Sequence, residues 1–217
     1  MDDKNPGAAS APATPPRVPR WQDAIIEREI PAGASVLDLG CGSGELLSRL
    51  TRNKGVRGQG VELDPAAVVE CVARGVPVFH IDLDRGLTGF ADRSFDYVIM
   101  EQTLQTLRRP LEILKEMLRV GRHGIVSFPN FAYWKLRFEL ATSGRMPVTE
   151  SLPHRWYDSP NIHLFTLEDF LDWARGNGAL ISRGYSLVEG EIRPLGPNDN
   201  LQAEEVLLFT EMEGGKT

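Results

Sequence analysis

The residues of this chain whose types and spacing can do chemistry are a set of carboxylates and a run of alternating glycines. Asp38 lies within the apolar run Val36-Leu37-Asp38-Leu39, and Gly40, Cys41, Gly42, Ser43 and Gly44 follow directly. A buried strand running into such a turn lets backbone approach a ligand, because glycine has no Cβ and tolerates positive φ. This is the pattern of a nucleotide-type cofactor site. The dinucleotide fingerprint G-x-G-x-x-G fails at its last place, where Glu45 stands, so a nicotinamide or flavin site is disfavoured.

Further acids recur at the ends of later apolar runs. Gly58-Gln59-Gly60-Val61-Glu62-Leu63-Asp64-Pro65 reads as a second strand, and Glu62 lies 24 positions after Asp38. One crossover helix imposes a spacing of roughly twenty residues, and a carboxylate at that strand end can accept both ribose hydroxyls of an adenosine. The alternative is a surface Glu ahead of a helix that opens at Asp64-Pro65. Val76 to Asp84 gives a third short strand whose Asp82 is a candidate for the adenine amino group, with the Leu83 N–H free for a ring nitrogen. Asp82 capping its own turn is the competing role. Ser94 to Met100 makes a fourth strand, after which Glu101 and Gln102 sit at its carboxyl end, over the cofactor.

The glycine turn resembles the first motif of class I S-adenosylmethionine (SAM)-dependent methyltransferases. That resemblance implies that Asp38 and the turn residues Gly40, Cys41, Gly42 and Gly44 hold the amino acid end of SAM or S-adenosylhomocysteine. Leu63 stands with Glu62 on the ribose side.

The elements that must position these residues alternate along the chain. Trp21, Ile25 and Ile26 fall at helical spacing, and Pro31 to Gly33 ends that helix, which would lid the sheet edge. A helix over Glu45 to Arg52 follows the glycine turn. Another, containing Leu111, Leu114, Lys115 and Leu118, precedes a fifth strand from Gly124 to Pro129. Thr166 reads as the N-cap of a helix with Phe170, Leu171, Trp173 and Ala174, closed around Asn177-Gly178. Strands Ala179 to Leu187 and Val206 to Thr210 flank a loop from Arg193 to Asn200. The alternation predicts an α/β fold with a doubly wound, mostly parallel, seven-stranded Rossmann-like sheet. No internal repeat is visible.

Composition bounds the rest. The 217 residues suffice for one α/β domain, and 41% hydrophobic content is ordinary. Residues 1–20, rich in Ala, Pro and Ser, read as a disordered tail ahead of a single domain over 21–217. The net charge of −6, with no long basic run, gives no support to nucleic acid or an anionic membrane as partner. Cys41 and Cys71 form neither a metal-ligand spacing nor a disulfide framework, so no metal is expected and a reducing cytoplasm fits. No apolar stretch approaches the length of a membrane span, and no secretory signal is visible.

Between the fifth strand and the late helix runs an excursion, residues 129–165, dense in aromatics and prolines. Ligands of open parallel sheets bind beyond the carboxyl ends of the strands, where such a segment lies. His154 and His163 there are candidates for a base or an anion contact, or for loop and packing roles. His80 and His123 fall beside strands, where a structural role is favoured. Arg155 can meet a carboxylate in bidentate fashion or stay a solvated charge. Trp134, Trp156 and Tyr157 are either interface anchors or core.

Taken with the glycine turn, the run Phe95 to Gln105, the segment Ser127-Phe-Pro-Asn-Phe and the block His154 to His163 make the chain resemble the MetW family of methionine-biosynthesis proteins from Trp21 onward. The resemblance implies a class I methyltransferase fold that supports methionine synthesis alongside a homoserine O-acyltransferase. Methyl transfer itself asks for in-line positioning and sometimes a base, so few catalytic side chains are obligatory and none is named. An accessory subunit with a SAM-sensing site, an active methyltransferase on an unknown small molecule and a bare scaffold are the three roles in play.

Overall fold

A computed structural model describes residues 20–212. The flexible tail expected over residues 1–20 lies outside them, apart from Arg20. The elements run α1 (Trp21–Glu29), β1 (Ser35–Leu39), α2 (Glu45–Lys54), β2 (Arg57–Glu62), α3 (Pro65–Ala73), β3 (Val78–His80), β4 (Phe95–Glu101), α4 (Pro110–Val120) and β5 (Gly121–Pro129). After them come α5 (Trp134–Ser143), α6 (Leu167–Gly176), β6 (Ala179–Val188), β7 (Glu191–Pro194), α7 (Asp199–Gln202) and β8 (Glu205–Met212).

Local chemistry sets the boundaries. Helix α2 buries Leu46, Leu47 and Leu50 on one stripe and stops at Gly55, whose φ of 63° closes the last turn. Helix α3 starts where the Asp64 side chain accepts from the Ala66 amide and Pro65 takes the first helical position. The predicted N-cap Thr166 is present. Its hydroxyl accepts from the Asp169 amide while the Asp169 carboxylate accepts from the Thr166 amide, a reciprocal pair at the start of α6.

The strands form one sheet in the order β3-β2-β1-β4-β5-β8-β6-β7. The first five in that order pair in parallel, whereas β8 runs antiparallel to both β5 and β6. The sheet therefore has eight strands and not seven. The additional strand, β7, forms a hairpin with β6 around Glu189 and Gly190, whose φ values are 50° and 81°. Two-residue hairpins want positive φ at both central positions, and Glu at the first lacks the Asn-Gly or Asp-Gly signature that announces one. The loop expected from Arg193 to Asn200 accordingly gives its first residues to β7 and its last to the short helix α7.

Helices cover both faces. On one, α1, α2 and α3 pack Ile25, Ile26, Leu47, Leu50 and Cys71 against Val36, Ile99, Ile125 and Phe209. On the other, α4 and α6 pack Ile113, Met117, Leu167 and Phe170 against Leu37, Leu39, Met100 and Phe128. Helix α1 thus lies across the face of the sheet, and only its first turn reaches the carboxyl ends, where Trp21 and Gln22 meet Glu205. Phe128 is fully buried between the rings of Phe165 and Phe170, at 4.6 and 5.2 Å. Truncating such a ring costs about 3–5 kcal/mol. Among the described residues no helix is long and apolar enough to cross a membrane.

Asn130 pins the excursion where it leaves β5. It is fully buried; its amide nitrogen donates to the carbonyls of Asp199, Asn200 and Ala203, and its oxygen accepts from the amides of Ala132 and Leu167. One side chain therefore joins β5, α6 and α7. Asn130→Ala strands several buried backbone groups at once, and urea denaturation should show a loss of about 2–4 kcal/mol. A loss under about 0.5 kcal/mol would show that the network is dispensable.

Candidate functional site

The register of the sheet brings the acids to one end. Asp38 sits beside Gly60 and Ile99, Glu62 beside His80 and Glu101 beside Ser127, so all three lie at the carboxyl ends of parallel strands. Strand order reverses between β1 and β4, which opens a crevice at that end. The crevice has two lobes that share Gly40. The smaller, of about 410 Å³, is walled by Arg20, Asp23, Asp38, Glu45 and Glu101; the larger, of about 950 Å³, by Glu62, Leu63, Asp82, Leu83, Gln102 and Thr103. Both open to solvent, and both are of small-molecule size.

The glycine turn is built differently from the expectation. Gly40, Gly42 and Gly44 all have positive φ, at 77°, 55° and 74°. A Cβ on Gly40 would meet the Thr103 hydroxyl at 2.5 Å, and one on Gly44 would meet Cys71 Sγ at 2.9 Å. At these two positions glycine makes room for the protein's own side chains and supplies the left-handed backbone. The Cys41 side chain turns inward towards Gly60 of β2 and Cys71 of α3, and the two free thiols lie 3.8 Å apart beneath the turn. Their separation in the chain gave no sign of that proximity. Burial raises the pKa of both thiols, which keeps them protonated and unreactive at neutral pH.

Glu62 is half-buried and is already engaged. One carboxylate oxygen accepts from the Gly42 amide at 2.8 Å, the other from the amides of Leu63 and Asp64 at 2.8 and 2.9 Å. It braces the glycine turn against the end of β2, a role that spacing did not reveal. A carboxylate has about four acceptor positions, so capacity is left on the crevice side. Asp82 combines its two alternatives. It accepts from the Asp84 amide as the cap of the turn Leu83–Arg85, and it lines the larger lobe. The Leu83 amide opens that turn and is therefore one of its orphan donors. Gln102 holds a φ of 52°, costly for a residue with a Cβ, and its amide donates to the Ser127 carbonyl at 3.1 Å.

The smaller lobe concentrates charge. Asp38 is 4% exposed, and burial, then the neighbouring Glu101, push its pKa well up. Burial likewise raises Glu101 to about 7, against an ordinary 4.5. Arg20 faces one Glu101 oxygen at 3.4 Å, whereas the other, Oε1, is buried without a partner. Glu205 reaches the same end from the antiparallel β8, accepting from Trp21, Gln22 and Gln102. Sequence reading missed Arg20, Asp23, Glu45, Thr103 and Glu205. Only the antiparallel entry of β8 and the return of α1 bring the first and last elements here, and no local motif marks either.

The excursion stands apart from both lobes. Its ends are tied down: the Phe131 amide donates to the Phe165 carbonyl, and the amides of Ile162 and His163 donate to the Gln105 carbonyl. Between them Trp156 is 80% exposed and Tyr157 63%, edge to face at 5.6 Å, so neither is core. Trp134 is 42% exposed. Nine of the eighteen exposed large hydrophobic residues among those described fall within 134–164, which marks this segment as an adhesive surface. His154 and Trp156 line a separate hollow with Phe131 and Asn161, and His163 lies beside Phe165 at another. Arg155 is exposed. His80 meets the Leu63 carbonyl at 2.9 Å and His123 stacks on Tyr97, both structural contacts.

Residues 20–201 match the family described as "Methionine biosynthesis protein MetW". A bifunctional methionine biosynthesis protein MetXA/MetW of Rhodopirellula baltica is 42% identical over 160 residues, which is 70% of this chain and 26% of that protein. The chain therefore spans about a quarter of that relative's length. An uncharacterized methyltransferase of a Mycobacterium species is 29% identical over 75% of this chain and 68% of its own. Among solved structures, a SAM-dependent methyltransferase of Thermotoga maritima, a possible histamine N-methyltransferase, superposes with a TM-score of 0.64 at 18% identity, covering 88% of this chain and 86% of that one. The α/β, Rossmann-like methyltransferase fold is shared.

The raised Glu101 carboxyl ties stability to pH. Between 4.5 and about 7 the folded protein keeps a proton that the unfolded chain has released, so rising pH lowers stability across that window. Glu101→Gln removes this dependence. The variant should match wild type near pH 4.5 and exceed it above pH 7.5 by on the order of 2 kcal/mol in urea titrations. A gap that does not change with pH would contradict the burial of this charge.

Proposed function

From the premise that this chain belongs to the MetW family of methionine biosynthesis proteins, we propose that it is a SAM-binding, methyltransferase-fold subunit. In this role it docks on a homoserine O-acyltransferase and regulates it. The crevice carries the proposal: an acidic lobe and a larger lobe meet at Gly40, and the unpartnered Oε1 of Glu101 is buried beside the acidic one. The donor set fits the cofactor. Asp38 and the turn Gly40, Cys41, Gly42 and Gly44 take the amino acid end, with Arg20 for its carboxylate, which leaves Glu101 for the second positive charge of the ligand. Glu62 and Leu63 take the ribose, Asp82 and the Leu83 amide the adenine, and Gln102 closes the wall. When bound, SAM supplies an electrophilic sulfonium methyl.

The residues on hand suit sensing better than transfer. Transfer to a protonated acceptor wants a base; His154 and His163, the excursion's histidines, are exposed and line hollows other than the crevice, and within it Glu101, raised to about 7, is turned towards Arg20. Partnership draws support from the Rhodopirellula baltica relative, where a MetXA part and a MetW part share one chain. Fusion keeps two partners at high effective concentration. The exposed ring pair Trp156–Tyr157, with Trp134, is the anchor set for that contact. Regulation by SAM then requires unequal affinity for the active and inactive complexes. The setting is the cytoplasm, in a single domain from Trp21 onward.

A second role, methyl transfer to an unknown small molecule, is favoured by Glu101 itself, since a carboxyl raised to about 7 inside the crevice can take a proton from an acceptor. Metabolite-dependent conversion of SAM to S-adenosylhomocysteine would select it.

Calorimetry separates these roles. Gly42→Val forces a branched residue into a left-handed turn, and Glu62→Ala removes the brace and the ribose acceptor, so each should weaken SAM binding at least about tenfold. Unchanged affinity in both would refute the site. Trp156→Ala should leave stability within about 0.5 kcal/mol, since its ring is exposed, yet weaken association with the acyltransferase by about 2 kcal/mol or more. Undiminished association would move the interface elsewhere.

A further inference from the structure

The acidic lobe holds more negative charge than it neutralises, and the excess has a consequence for ligand choice. Asp23 lines the lobe but is paired at 3.2 Å with Arg49, which does not. Glu45 opens α2, where the helix end favours its charge. Asp38 and Glu101 remain, and Arg20 is the cation that offsets both. Glu101 has a side chain 10% exposed, with Oε2 towards Arg20 and Oε1 buried and unpartnered. A buried carboxylate oxygen without a partner loses the stabilisation of water and gains none in return. A cationic group entering the lobe restores it.

We propose that Glu101 makes this site selective for the charged sulfonium of SAM over the neutral thioether of S-adenosylhomocysteine. This rests on the cofactor assignment made above, in which Asp38 and the glycine turn meet the ammonium that both ligands carry, and goes beyond it, because the ligands differ only by a methyl and the positive charge on sulfur, which is left to Glu101. Ligands that differ by one charge within a few ångströms of a half-neutralised carboxylate separate by tenfold or more. In a sensing role this selectivity makes the protein report the methyl donor itself and remain indifferent to the spent product.

Burial of Glu101 also gives the selectivity a pH signature. The carboxyl is protonated below about 7 and ionised above, and only the ionised form attracts a cation. Charged groups facing it are Arg20 at the N-cap of α1, Asp23 from α1, Asp38 from β1 and Glu205 from β8. A cation binding there expels the proton, so preference for SAM grows as pH rises through this window.

Isothermal titration of the full chain with SAM and, separately, with S-adenosylhomocysteine at pH 6.0 and 7.5 tests this. The expected result is SAM binding about tenfold or more tighter at pH 7.5, a ratio that shrinks several-fold at pH 6.0, and proton release on SAM binding. Glu101→Gln should bring the ratio to within about threefold at both pH values while still binding S-adenosylhomocysteine, which shows that the variant is folded. Equal affinities in wild type at both pH values would overturn the selectivity and leave the cofactor assignment standing. Binding of neither ligand would overturn both.

Discussion

Everything at the carboxyl end of this sheet depends on one carboxylate that gathers backbone amides. Glu62 accepts from Gly42 with one oxygen and from Leu63 and Asp64 with the other, so the glycine turn after β1 and the turn after β2 are held as one wall. Hydrogen bonds from amides to an ionised acceptor are stronger than neutral ones, and the one from Gly42 ties down a loop whose glycines would otherwise leave it loose. That wall lies between the two lobes. On one side lie Asp38 and Glu101, both desolvated, with Glu101 near enough to raise the proton affinity of Asp38; on the other lie Asp82 and Leu83 in the larger lobe. A zwitterionic, cationic head joined to a nucleoside matches that division.

Much of this was legible from the chain alone. Apolar runs ending in acids, a crossover-helix spacing and a glycine turn are local signals, and the parallel strands β1 to β5 carried them. The fold and the positions of Asp38, Glu62, Asp82 and Glu101 followed. What was not legible depends on chain reversal. Strand β8 enters antiparallel between β5 and β6, which delivers Glu205 to the crevice from the far end of the sequence. Arg20 and Asp23 arrive through α1, before any strand exists to place them. The hairpin at Glu189-Gly190 uses a residue that rarely takes a left-handed backbone, so β7 was read as loop. The thiols of Cys41 and Cys71 meet only because α3 lies beneath the turn.

The excursion shows the same division between anchoring and function. Asn130, buried at its root, spends every polar atom on backbone partners, whereas Trp156 and Tyr157 at its crown are exposed. A segment fixed at both ends and apolar on its outer surface is suited to meeting another protein with little ordering cost. Coupling between this surface and the crevice has a physical route. Ile162 and His163 hang from the Gln105 carbonyl, and Gln105 in turn donates to Gln102 at the crevice wall. A change at the crevice is thus one residue away from the base of the excursion.

The most direct test of a regulatory subunit is the rate of homoserine acylation by the acyltransferase of the same organism, measured while this chain is titrated in, with and without saturating SAM. A saturable change in rate as the chain is added, whose size or midpoint shifts with SAM, is the predicted result. A rate indifferent to the chain at every concentration and in both conditions would contradict it.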